Sequence, residues 1–64
     1  MNVDAVAERV RAEFEEMPGL ALTVRQASKL FGLENEICRS VIDRLIDAAY
    51  LRKTQAGTIT RGDR

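Results

Sequence analysis

The stretch "TVRQASKLFGLENEICRSVIDRLIDAAYL", Thr23 to Leu51, breaks one helix at Gly32 and begins another almost at once. Thr23 and Gln26 stand three residues apart, the spacing of a capping box in which hydroxyl and amide each take the other's backbone N–H. Leu22 and Ala27 flank that cap at the spacing of a hydrophobic staple. The spacing predicts a helix over 24–31, with Ala27, Leu30 and Phe31 on its buried side. Gly32 ends it, because glycine takes the left-handed conformation without a Cβ clash. Beyond Leu33, the residues Ile37, Cys38, Val41, Ile42, Leu45, Ile46 and Ala49 recur at helical steps and predict a helix over 35–48. Their stripe is wider than a surface helix needs.

On the N-terminal side, Val3, Val6, Val10, Phe14 and Met17 form one apolar stripe and predict a helix over 3–17. Asn2 is placed to cap it, Asp4 suits the positive end of its dipole, and Pro18-Gly19 stops it. The stripe reads as a core helix. The alternative is that Val3, Val6 and Val10 reach into a homodimer seam, although about two heptads are too few for a coiled coil alone. Leu20–Thr23 alternates as one short strand would. After the third helix, Tyr50–Thr54 and Thr58–Arg61 are rich in strand formers, with "QAG" between them. A three-residue loop with Gly57 left-handed puts Leu51 and Ile59 on one face, toward the core; a two-residue loop would separate them.

Two short helices joined by a glycine-containing turn describe a helix-turn-helix. The residues Thr23, Gln26, Ser28, Gly32 and Leu33, then buried positions at Cys38 and Val41, then "LIDAAYL", resemble bacterial winged helix-turn-helix DNA-binding proteins. The resemblance covers most of the chain. It implies one domain over 1–64, α+β and mostly α: a winged helix with three helices, a short strand and a two-stranded C-terminal wing over about 50–61. It departs from the family at Glu34, where Ser, Thr or Asp would cap the recognition helix. It departs again at Ala49, where glycine would close that helix.

By the family's pattern, Glu34, Asn35, Glu36, Arg39, Ser40 and Asp43 face outward from the third helix. Asn35 suits adenine, Arg39 suits guanine, and Ser40 suits base or phosphate. Arg25, before them in the chain, and Arg52, Lys53 and Arg61 on the wing complete the expected DNA contacts. Basic residues on a hairpin also serve simply to deter edge pairing. The implied function is sequence-specific binding of double-stranded DNA, as a small transcriptional regulator. The alternative is a winged helix that binds a protein partner, an adaptor or assembly subunit.

Charge bears on that choice. The chain of 64 residues has ten bases, ten acids and no histidine, for a net charge of zero. Acidic blocks (1–17 and 34–49) alternate with basic ones (18–33 and 50–64). Glu34 and Glu36 stabilise the start of a helix by roughly 0.3–1 kcal/mol, yet they repel phosphates. If the acids of the third helix interrupt the basic face, the protein-binding alternative gains. One cysteine excludes an internal disulfide, and one Cys without His makes a zinc site improbable. Cys38 reads as a small core residue; a thiol near a helix start is also a place for a lowered pKa and redox sensitivity. No cofactor is expected. An enzyme is not expected either, because there is no phosphate loop and no nucleophile beside a base, and the carboxylates stand at ordinary surface-pairing distance from bases on helix faces, as in Glu8–Arg11 and Arg9–Glu13. With no apolar run of about 20 residues and no signal peptide, a cytoplasmic protein without membrane association is expected.

Overall fold

The computed structural model describes residues 2–62; Met1, Asp63 and Arg64, the last two belonging to the basic C-terminal block, lie outside the described residues. The chain forms α1 (Val3–Glu16), β1 (Ala21–Leu22), α2 (Val24–Phe31), α3 (Asn35–Asp47), β2 (Leu51–Lys53) and β3 (Ile59–Arg61). α1 and α3 each stop one residue short of the expected span. The caps form as their spacing predicts. Asn2 Oδ1 accepts from the N–H of Asp4 at 3.0 Å and of Ala5 at 3.3 Å. The Thr23 hydroxyl accepts from the Gln26 N–H at 3.1 Å, and the Gln26 side chain accepts from the Thr23 N–H at 3.0 Å. Such a cap stabilises a helix by about 1 kcal/mol.

β1 joins the hairpin. It pairs antiparallel with β3, so the sheet has three strands in the order β1-β3-β2. In the hairpin Leu51 pairs with Arg61, Arg52 with Thr60 and Lys53 with Ile59. The Thr54 N–H donates to the Thr58 carbonyl at 2.8 Å, the Gly57 N–H donates to the Thr54 carbonyl at 3.0 Å, and Gly57 has φ 87°. This is the expected three-residue loop, and it buries Leu51 and Ile59 together. The architecture is α+β, mostly helical and winged-helix-like.

One core joins every helix to the hairpin. Ala7, Val10 and Phe14 of α1 meet Ala27 and Phe31 of α2, then Cys38, Val41, Ile42 and Leu45 of α3, with Leu51 and Ile59 beneath. Among the described residues no polar or charged one is buried. Val10 is fully buried in this chain's own core, while Val3 and Val6 are partly buried against it.

Two expectations need correction. Leu30 is 56% exposed. The buried stripe of α2 runs through Val24, Ala27 and Phe31 and leans toward Ser28, which turns Leu30 to the outside. The surface pairs of α1 also differ from the expected Glu8–Arg11 and Arg9–Glu13. Arg11 pairs with Glu15 at 3.0 Å, and Arg44 of α3 reaches Asp4 at 3.0 Å.

The end of α3 solves the missing glycine in an unusual way. Ala49 itself takes the left-handed conformation, with φ 68°. The Tyr50 N–H donates to the Leu45 carbonyl and the Ala49 N–H to the Ile46 carbonyl, both at 2.9 Å. These are the two bonds of a Schellman motif. Gly62 then packs against this turn: its N–H donates to the Tyr50 carbonyl at 2.7 Å, and a Cβ there would collide with the Ala49 carbonyl oxygen. The two positions therefore respond oppositely to substitution. Ala49→Gly relieves left-handed strain and raises stability by about 0.5–1 kcal/mol after the entropy of the unfolded glycine is counted. Gly62→Ala lowers stability by roughly 1–3 kcal/mol through overpacking. Urea titration checks both as shifts of midpoint at constant slope.

Candidate nucleic-acid interface

The turn between α2 and α3 is held from both sides. Gly32 sits at φ 68° and ψ 35°. The Leu33 N–H donates to the Ser28 carbonyl at 3.0 Å, and the Ser28 hydroxyl donates back to the Leu33 carbonyl. No atom lies within 4 Å of a Cβ built at Gly32. Glycine is therefore favoured by the backbone angle and not by crowding. Glu34 follows as the N-cap of α3, and its side chain accepts no capping bond. Its carbonyl takes the Cys38 N–H at 2.8 Å. The first turn of α3 thus has N–H groups with no side-chain acceptor at the cap.

This turn sets the N-terminal ends of α2 and α3 side by side. Val24, Arg25, Asn35, Glu36 and Arg39 line one open groove of about 440 Å³. Four of the residues expected from sequence are brought together there. Ser40 and Asp43 are exposed further along α3. They stand four and seven residues after Glu36, so they continue its face. Asp47, four residues beyond Asp43 and also exposed, extends the same row. It is not among the residues expected from sequence, although that spacing is a signal for it.

The outward row of α3 is acidic for most of its length. Glu36, Asp43 and Asp47 lie along it, with Arg39 beside them. Arg44 is drawn away toward Asp4 of α1. Among the described residues, Arg25, Glu36, Arg39, Asp43 and Asp47 form no ion pair. Their charges therefore stay available to a ligand.

The basic residues of the hairpin divide. Arg52, Lys53 and Arg61 are all exposed. Register places Arg52 with Thr60 on the outer face of the sheet, and Lys53 and Arg61 at the rim of the face that carries Leu51 and Ile59. Arg61 lines a different cleft, of about 320 Å³, with Arg11, Glu15, Tyr50 and Gly62. There the Arg11 guanidinium lies 3.7 Å above the Tyr50 ring, a cation–π contact. The cluster joins residues far apart in sequence, and no local pattern announces it.

Cys38 is buried, and its thiol points at the Val24 carbonyl, 3.8 Å away. Burial pushes its pKa up, opposite to the lowering that a helix start can bring. The thiol is protonated at neutral pH and serves as core. Among the described residues, no group of three or more His, Cys, Asp or Glu could hold a metal ion, and no helix is long and apolar enough to cross a membrane.

Comparison with family models, curated proteins and solved structures returns no match to this chain. The exposed cap position generates a direct expectation. Glu34→Thr supplies the missing acceptor, worth about 1 kcal/mol, and loses the smaller benefit of a carboxylate at the helix start, so stability rises by a few tenths of a kcal/mol to about 1 kcal/mol. A thermal melt at neutral pH checks this; an unchanged or lower midpoint would mean that the cap is satisfied in another way.

Proposed function

We propose that this chain binds double-stranded DNA through the α2–α3 groove and the hairpin, as a small regulator of transcription. One observation supports the reading above all. Arg25, Asn35 and Arg39 meet at the N-terminal end of α3, the end that a helix-turn-helix presents to base edges. Arg39 has the fork to pair with guanine O6 and N7, and Asn35 has the amide to pair with adenine. Arg25, in the first turn of α2, suits a phosphate, as do Arg52 and Lys53 on β2. The chain would act as a binding module and not as an enzyme. At zero net charge a single copy grips the backbone weakly, so a second copy or a partner would supply further contacts.

The acidic row of Glu36, Asp43 and Asp47 favours a second reading, in which the same face of α3 docks a basic protein. The two readings part in a titration of short duplexes at about 50 mM salt, where each phosphate contact counts strongly. In the DNA reading, Arg39→Ala weakens the best site by about 1–3 kcal/mol and relaxes preference at one base pair. Arg52→Ala or Lys53→Ala weakens all sequences alike and lowers the salt slope by about one. No saturable binding to any duplex, with no change on replacing Arg39, Arg52 and Lys53 together, would leave the protein-binding reading.

A further inference from the structure

We infer that Glu36 fixes one base of the recognised sequence as cytosine, by requiring an amino group on the base edge that it meets. The inference rests on the DNA reading above. Glu36 occupies the first turn of α3 and lines the groove with Arg25 and Arg39, yet it forms an ion pair with neither. Its side chain is exposed in the place where a base edge would lie.

An ionised carboxylate only accepts hydrogen bonds. In the major groove, only cytosine N4 and adenine N6 donate to it. Guanine presents O6 and N7, and thymine presents O4 and a methyl group, so both leave the carboxylate facing acceptors or apolar surface. That costs its desolvation with nothing in return. Adenine is also disfavoured, because its N7 acceptor stands beside the amino group and repels the second carboxylate oxygen. Cytosine N4 has a C–H on one side and the paired guanine O6 on the other, one acceptor neighbour fewer than adenine N6, which lies between its own N7 and the paired thymine O4. Arg39, three residues on, is displaced by about 4.5 Å along the helix, comparable to the roughly 3.4 Å step between base pairs. In this reading Arg39, one turn along the same helix, takes a guanine of a nearby base pair. The same carboxylate repels phosphates, so it suppresses binding to unrelated sequences in a chain whose net charge is already zero.

The test is selection of bound duplexes from a random pool by the full chain and by Glu36→Gln, with the melting of both proteins recorded. Glutamine keeps the shape, removes the charge and pairs with adenine N6 and N7. The expected result is a cytosine preference of about ten-fold or more for the natural chain. In Glu36→Gln it passes to adenine while the nearby guanine stays, and affinity for unrelated duplex rises several-fold. A pool with the same base at every position in both proteins overturns the role of Glu36 and leaves the DNA reading standing. A natural chain that enriches no sequence, while it melts cooperatively, overturns both.

Discussion

The left-handed turn at Gly32 is the constraint on which the rest depends. Its backbone angle points α3 away from α2, and the reciprocal bonds between Ser28 and Leu33 fix that angle. Leu33 then lies against the core, and α3 buries Cys38, Val41, Ile42 and Leu45. With that face committed, Glu36, Ser40, Asp43 and Asp47 have only the outside left to them. The same turn places Arg25 and Val24 beside the start of α3. The groove is a consequence of how the two helices are joined, and it needs no further device to hold it open.

A second left-handed residue governs the other end of α3. Ala49 accepts strain of roughly 1–2 kcal/mol, a real cost for a domain of this size, whose core commonly nets about 3–5 kcal/mol. The two Schellman bonds offset part of it, and Gly62 closes onto the Ala49–Tyr50 backbone. That packing ties β3 to the end of α3 and sets where the hairpin stands. Gly32 and Ala49 thus bracket one helix: the first orients its exposed face, and the second anchors the sheet beside it.

Much of this was legible in the sequence because local chemistry decided it. Thr23 with Gln26, Gly32 with Leu33, and "QAG" before a β-branched pair each specify one geometry with few competitors. The hairpin register followed from the need to bury Leu51 and Ile59 together. Leu30 was not legible, since an eight-residue helix shows too few turns for its phase to be read closely, and Ser28 bonding to Leu33 tilts the stripe. The pairing of β1 with β3, the Arg44–Asp4 bridge and the Arg11–Tyr50 contact are long-range, and nothing in a local pattern selects them. Of the candidate site, the grouping of Arg25, Asn35, Glu36 and Arg39 was readable from the helix-turn-helix pattern. The divergence of Arg61 toward Arg11 and Glu15 depends on how the sheet seats against α1, which only the packed structure reveals.

The electrostatic character of the exposed face is mixed, and that sets what the site can do. Arginines frame the groove while carboxylates run down the middle of α3, so general attraction to a polyanion is weak and discrimination has to come from particular contacts. Backbone amide shifts of the labelled protein, followed by NMR during addition of a short mixed-sequence duplex at about 50 mM salt, test this most directly. Changes are expected at residues 24–25, 35–40 and 52–53, with Arg11, Glu15 and Tyr50 on the other cleft unmoved. Shifts confined to that other cleft, or none at all at millimolar duplex, would contradict the DNA reading.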